Sequence, residues 1–212
     1  VGGVPRFQQM FQPLLFDVVR LPCPDPYRRP PGVTSSGALQ HYVDQLERAL
    51  AEHHQQIAAM VIEPLVQAAA GIVVHPAGYL QAARELTQEY QVLLIADEVA
   101  VGMGRTGKLF ACEHEDVTPD FVCLAKGLTG GYLPLAATLT TEEIFSAFLG
   151  EYAEYKTFFH GHTYTGNPLA CAAGIASLEI FEKDRVLDSL RAKVELLTRL
   201  LQEEIAPLAH VA

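Results

Sequence analysis

No stretch of this 212-residue chain strings together the ~18 apolar residues a membrane-crossing helix needs. The sequence as given opens without a signal-peptide pattern. Positive charge is scarce: 15 Lys and Arg stand against 25 Asp and Glu, for a net charge of −10. That balance argues against nucleic acid or an anionic membrane as a partner. The four cysteines, Cys23, Cys112, Cys123 and Cys171, form no CxxC pair and no metal-ligand spacing. They fit a reducing, cytoplasmic setting, with Cys123 and Cys171 read as buried thiols in apolar segments. No repeat or low-complexity tract interrupts the chain. What is present is ordinary for a globular protein, half hydrophobic and 19% charged. The length suits one domain, or one large domain with part of another.

The pattern along the chain alternates strand and helix. Prolines at 22, 24, 26, 30 and 31 forbid a helix near the start and predict an extended surface segment, to which Leu14–Phe16 could add a strand. Leu39, Tyr42, Val43, Leu46 and Leu50 keep helical spacing, so Ala38–His53 reads as an amphipathic helix capped near Ser35 or Ser36. Ile57–Ile62 reads as a buried strand, Ala68–Val74 as a small-residue loop, and the segment after Pro76 as a helix. Val92–Ala96, Phe121–Ala125 and Leu133–Thr140 are further strands, and Thr141–Phe148 is a short helix. Asn167–Phe181 is a helix of small residues. A longer amphipathic helix follows Asp184, its stripe suited to core or to a dimer surface. Strands alternating with helices in this way predict an α/β fold, a mostly parallel sheet with helices on both faces.

Two of those apolar runs end on a charge: Val92–Ala96 on Asp97, Phe121–Ala125 on Lys126. Ligands of an open α/β sheet sit beyond the carboxyl ends of its strands, so an acid and an amine at neighbouring tips can face one crevice. An amine there can form a Schiff base with the aldehyde of pyridoxal phosphate, and a carboxylate can keep the pyridine nitrogen protonated. The displaced lysine is then placed to carry a proton as base and acid. Burial at the strand tip would lower its pKa toward a useful range. Gly127, Gly130 and Gly131 let the backbone turn closely past a cofactor. Each residue alone has a bland reading, a solvated strand end for Lys126 and a turn or cap for Asp97.

The words Ile95-Ala-Asp97-Glu98-Val99, Gly102-Met-Gly-Arg105-Thr-Gly107-Lys108 and Leu124-Ala-Lys126-Gly-Leu-Thr-Gly-Gly131 together resemble the class III pyridoxal-phosphate aminotransferases. Ile62-Glu63-Pro-Leu-Val-Gln67, Gly107–His114 and His160–Cys171 extend the resemblance, most nearly to the branch of that family that works in biotin synthesis. The resemblance implies a fold-type I large domain over residues 1–165. A helical segment over residues 166–212 would lead to a small C-terminal domain. It also implies ping-pong transamination between a small-molecule amino donor and a keto acceptor, and a homodimer with a shared active site. Asp97 would hold the ring nitrogen and Lys126 the aldehyde carbon. His162 and Thr163 would bind the cofactor phosphate of the neighbouring subunit. Val99 would pack on the ring, Glu63 would lie near its oxygen, and Gly161 and Arg105 would meet substrate. Measured against that family the sequence corresponds to a central portion. The upstream phosphate loop, the stacking aromatic and the downstream arginine for a substrate carboxylate are outside it. An ornithine or ω-amino-acid branch is the alternative with the same chemistry.

Two readings of another kind compete. Gly102–Lys108 fits the first seven positions of a phosphate-binding P-loop, but the eighth, which should be Ser or Thr, is Leu109. The other is a catalytically incomplete scaffold. A metal at His160 and His162 lacks further ligands at suitable spacing.

Overall fold

The computed structural model describes residues 5–211. A single turn, α1 (Pro5–Gln8), and the proline-rich segment lead to α2 (Ala38–His53). Then come β1 (Ala59–Ile62), the short pair β2 (Val66–Gln67) and β3 (Val73–Val74), α3 (Tyr79–Glu89), β4 (Leu93–Asp97) and β5 (Phe121–Leu124). β6 (Ala137–Thr140), α4 (Glu142–Ser146), α5 (Pro168–Lys183) and α6 (Val186–Leu200) complete the order. The main sheet runs β1-β4-β5-β6. β1, β4 and β5 are parallel and β6 pairs antiparallel with β5, so the sheet is mostly parallel, as expected.

Register fixes which side chains share a face. Ile62 lies beside Ala96, and Ala96 beside Val122, so Met60, Ile62, Leu94, Ala96, Val122 and Leu124 line one face. α2 and α3 cover it on the β1–β4 side through Ala38, Tyr42, Tyr79 and Leu80. Met103, Leu128 and Phe181 of α5 cover it at β5. The opposite face is partly open: Val61 is 43% and Leu93 38% exposed.

Several local expectations are corrected. Leu14–Phe16 forms no strand, because the chain around Pro13 makes a 3₁₀ turn over Gln12–Leu14 and stays exposed. The cap of α2 is not Ser35 or Ser36; Thr34 Oγ1 accepts from the N–H of Gly37, the helix's N-cap. Ala68–Val74 is no plain loop, since Val73–Val74 returns antiparallel to Val66–Gln67 and β-branched residues favour that pairing. β6 starts at Ala137, beyond Pro134. Pro76 precedes its helix by two residues rather than opening it. The first N–H groups there, of Gly78 and Gln81, go to the two oxygens of Glu115 at 2.8 Å each. Cys123 and Cys171 are only half-buried, whereas Cys112 is buried. Of the two uses expected for the α6 stripe, core is not the one seen, since Val194 and Leu197 are exposed.

Two distant side chains lock the frame. Arg84 of α3 pairs with Asp120 at 2.8 Å, and Asp120 also accepts from the N–H of Leu94 at 2.7 Å, tying helix to sheet. Partial burial works against the Asp120 carboxylate. Even so, its bonds to Arg84 and Leu94, with the Arg84 charge, hold it below the usual carboxylate range. Glu98, only 1% exposed, accepts from the N–H groups of Ala111 and Cys112 at 2.8 Å each. It thereby satisfies the start of the 3₁₀ turn Ala111–Glu115.

Glu98→Ala strands two buried N–H groups and should cost about 3 kcal/mol in urea unfolding, with Glu98→Gln costing about half as much because its amide keeps one acceptor. His75 gives a pH signature. Its Nδ1 is buried without a partner, and burial pushes the ring pKa down to about 4. The unfolded chain binds that proton at its ordinary value near 6.5, so stability is full above about pH 6.5 and falls as the pH drops toward 4. The loss should be on the order of 3 kcal/mol. His75→Gln should flatten that slope in unfolding curves taken across the window.

Candidate active site

Three charged residues stand at three consecutive strand ends. Glu63 follows β1, Asp97 closes β4, and Lys126 comes one residue after Ala125 at the end of β5. The β1-β4-β5 order and the pairing of Asp97 with Cys123 put them along one edge, at the carboxyl ends of the parallel strands. That is the edge on which a doubly wound sheet binds its ligands. The chain leaves β5 sharply: Lys126 takes φ 48°, a left-handed conformation a lysine seldom adopts. Such strain collects at functional positions. The turn Lys126–Thr129 then ends at Gly130 and Gly131, with φ 60° and 82°.

The polar partners differ in kind. Asp97 is half-buried, and its Oδ1 accepts from the N–H of Val99 at 3.1 Å. Among the described residues its Oδ2 takes no hydrogen bond, and the Lys126 amine makes neither a hydrogen bond nor an ion pair. Lys126 is exposed, which corrects the expected burial at the strand tip: the left-handed turn lifts it off the end of β5. Glu63 is half-buried and engaged, its Oε2 accepting from the N–H of Ala68 at 2.9 Å, so it closes the bend after β1. Gln67 beside it accepts from the Cys23 thiol at 2.8 Å, pinning the proline-rich segment to this edge.

Val99 is half-buried immediately after Asp97. Arg105 is exposed in the loop that follows, and that loop is not a nucleotide cradle: Lys108 Nζ donates to the Glu113 carbonyl at 2.6 Å. Gly161, His162 and Thr163 lie in an exposed segment ahead of α5. There the His162 N–H donates to Thr165 Oγ1 at 2.9 Å, and Asn167 caps α5 by accepting from Leu169 and Ala170. No hydrogen bond among the described residues joins this segment to Asp97 or Lys126. Strand register therefore puts Glu63, Asp97, Val99 and Lys126 at neighbouring strand ends, while Arg105 and residues 161–163 lie in loops. No group of three or more potential metal ligands occurs among the described residues.

Sequence reasoning missed Glu98 and Met103. Glu98 was hidden behind Asp97, as the second acid of a strand-end pair. The only sequence sign of the buried loop around Met103 is the pair of glycines beside it, Gly102 and Gly104.

The donor set suits pyridoxal phosphate: an unpaired amine and a carboxylate with one oxygen uncommitted, at the ends of neighbouring parallel strands.

The profile of the aminotransferase class-III family matches residues 2–211. The adenosylmethionine-8-amino-7-oxononanoate aminotransferase of Nitratidesulfovibrio vulgaris is 53% identical over 201 residues, covering 95% of this chain and 37% of that protein. The Geobacter sulfurreducens protein of the same name is 51% identical over 212 residues, covering 100% of this chain and 47% of its own. The crystal structure of the Methanocaldococcus jannaschii protein of that name superposes with a TM-score of 0.85 at 40% identity, over 98% of this chain and 45% of that one. The chain thus spans less than half the length of these relatives. With strand order, site words and overall sequence in agreement, the chain belongs to the class III aminotransferases.

Proposed function

We propose that this chain forms the lysine-bearing part of a pyridoxal-phosphate-dependent aminotransferase of biotin synthesis. Its reaction converts 8-amino-7-oxononanoate to 7,8-diaminononanoate, with S-adenosylmethionine or lysine as amino donor. One observation carries the reading: Asp97 and the unpaired Lys126 end neighbouring parallel strands in a chain 51–53% identical to relatives bearing that enzyme's name. Residues 1–165 act as the cofactor-binding large domain, and residues 166–212 lead toward the small one. The enzyme works as a cytoplasmic homodimer, with His162 and Thr163 of each subunit serving the phosphate in the other's site.

Bound pyridoxal phosphate supplies an aldehyde for amine exchange and a ring that withdraws electrons from the carbon next to nitrogen. The chain's own residues do the rest. Asp97 would hold the ring nitrogen with its uncommitted oxygen, while its bond to Val99 keeps the carboxylate from rotating away. Lys126 would hold the group through its amine, and that amine, while substrate is bound in its place, would move the proton at the substrate carbon that bears nitrogen. Val99 would pack on the ring, Glu63 would bound the crevice on the β1 side, and Gly161 and Arg105 would contact the substrate from the loops.

The purified full-length protein should show a visible absorption band with pyridoxal phosphate, and borohydride should fix the cofactor mass on Lys126. Lys126→Ala should lose the band and at least about 10⁴-fold in kcat while melting within a few degrees of the parent, because an exposed side chain is removed. A Lys126→Ala variant with parental turnover would sink the assignment. Turnover of 8-amino-7-oxononanoate with each donor, measured separately, decides between S-adenosylmethionine and lysine.

A further inference from the structure

The residue after the lysine is the tightest backbone contact at this edge. Gly127 is not in the left-handed region, so its conformation is open to any residue; its surroundings are not. A Cβ placed there would lie 2.7 Å from the Cβ of Met103 and 3.3 Å from its Cγ. Carbon atoms pack at about 3.5–4.0 Å, so one of the two backbones would have to move by about 1 Å.

Met103 has nowhere to go. It is buried, held at φ 53°, and packed with Leu124 and Leu128. The glycine before it admits no Cβ either, because one would sit 2.7 Å from the Glu98 carbonyl oxygen. The glycine after it, at φ 83°, lies under Phe181 and Leu187, which a Cβ would approach to 3.2 and 3.4 Å. Glu98, which anchors this loop, is itself held by Ala111 and Cys112. From the other side, Ser177 Oγ of α5 reaches the Gly127 carbonyl at 3.5 Å. Leu128 and Thr129 are buried as well, so the end of the turn free to yield is the exposed one, at Lys126.

We propose that Met103 and Gly127 are positioning residues: the Met103 Cβ seated on the bare Cα of Gly127 sets where Lys126 stands relative to Asp97. This inference rests on the aminotransferase reading of the site. It makes the Gly-Met-Gly loop part of the lysine's mounting, a role separate from any contact with substrate.

A double-mutant comparison in the full-length protein tests it. Gly127→Ala should lower kcat/KM by about 100-fold, the scale of a 1 Å misplacement. It should also reduce the borohydride-fixed cofactor on Lys126 relative to the other lysines and shift the pH at which the cofactor's visible absorbance changes. Met103→Gly suits φ 53° and removes the offending Cβ, so M103G/G127A should recover at least about 10-fold of the lost kcat/KM and return the label to Lys126. Two merely structural lesions would add, leaving the double variant worse than either single one. The inference is overturned if G127A labels and turns over like the parent. It is equally overturned if M103G/G127A is no better than G127A in soluble yield, labelling and absorbance profile. If G127A fails to fold and the double variant folds with label on Lys126, the steric seat is supported. A parent protein with no label on Lys126 overturns this inference together with the functional reading; a labelled parent with an indifferent G127A overturns this inference alone.

Discussion

The charged groups of the site owe their proximity to main-chain hydrogen bonding, not to one another. β1, β4 and β5 run parallel in fixed register, so Ile62, Ala96 and Val122 lie side by side and the residues that follow them emerge on one line. A slip of one residue in β5 would turn its side chains to the other face and carry Lys126 away from Asp97. The register is held far from the site, where Asp120 takes both the Leu94 N–H and the Arg84 guanidinium at the opposite end of the strands. Precision at the ligand edge is thus set partly by a salt bridge that no ligand touches.

Above that frame the site is built from loops that would be costly to leave unsupported. The segment from Val101 to Gly104 is buried, and a buried loop must find partners for its backbone. Glu98 supports it from beneath: its backbone carbonyl accepts from the Gly102 N–H at 2.8 Å while its side chain holds Ala111 and Cys112. α5 closes the other side through Phe181 and Ser177. The neighbouring thiol of Cys112 is chemically quiet there, since burial and the Glu98 charge push its pKa up.

Much of this was legible in the sequence because apolar runs and their terminal charges are local signals. Val92–Ala96 ending on Asp97 and Phe121–Ala125 ending on Lys126 needed only strand length and composition, and both strands form within a residue of those limits. The α2 helix matched at both ends because its periodic residues and the breaks beside it agree. What was illegible depended on residues distant in sequence. Glu115 reaches back more than thirty positions to start α3, and Cys23 meets Gln67 across forty-four. The exposure of Lys126 follows from a left-handed turn that no composition rule assigns to lysine. Nor could periodicity reveal that α2, α3 and α5 all serve the same face, since that follows from strand order.

The connection between β5 and β6 is an uneven tether. Its ends are fixed where Leu124 pairs with Ala137, and Lys126 stands two steps from one end and eleven from the other. On the short side the backbone can carry the lysine no farther than about 7 Å from Leu124, whatever the rest of the loop does. The slack lies downstream, around Gly130 and Gly131. Travel of the amine during a reaction cycle is therefore the business of the side chain, with its four methylenes acting as the crane and the main chain as its fixed footing. Lengthening the loop beyond Gly131 would leave that footing where it is; a single residue added between Leu124 and Lys126 would move it.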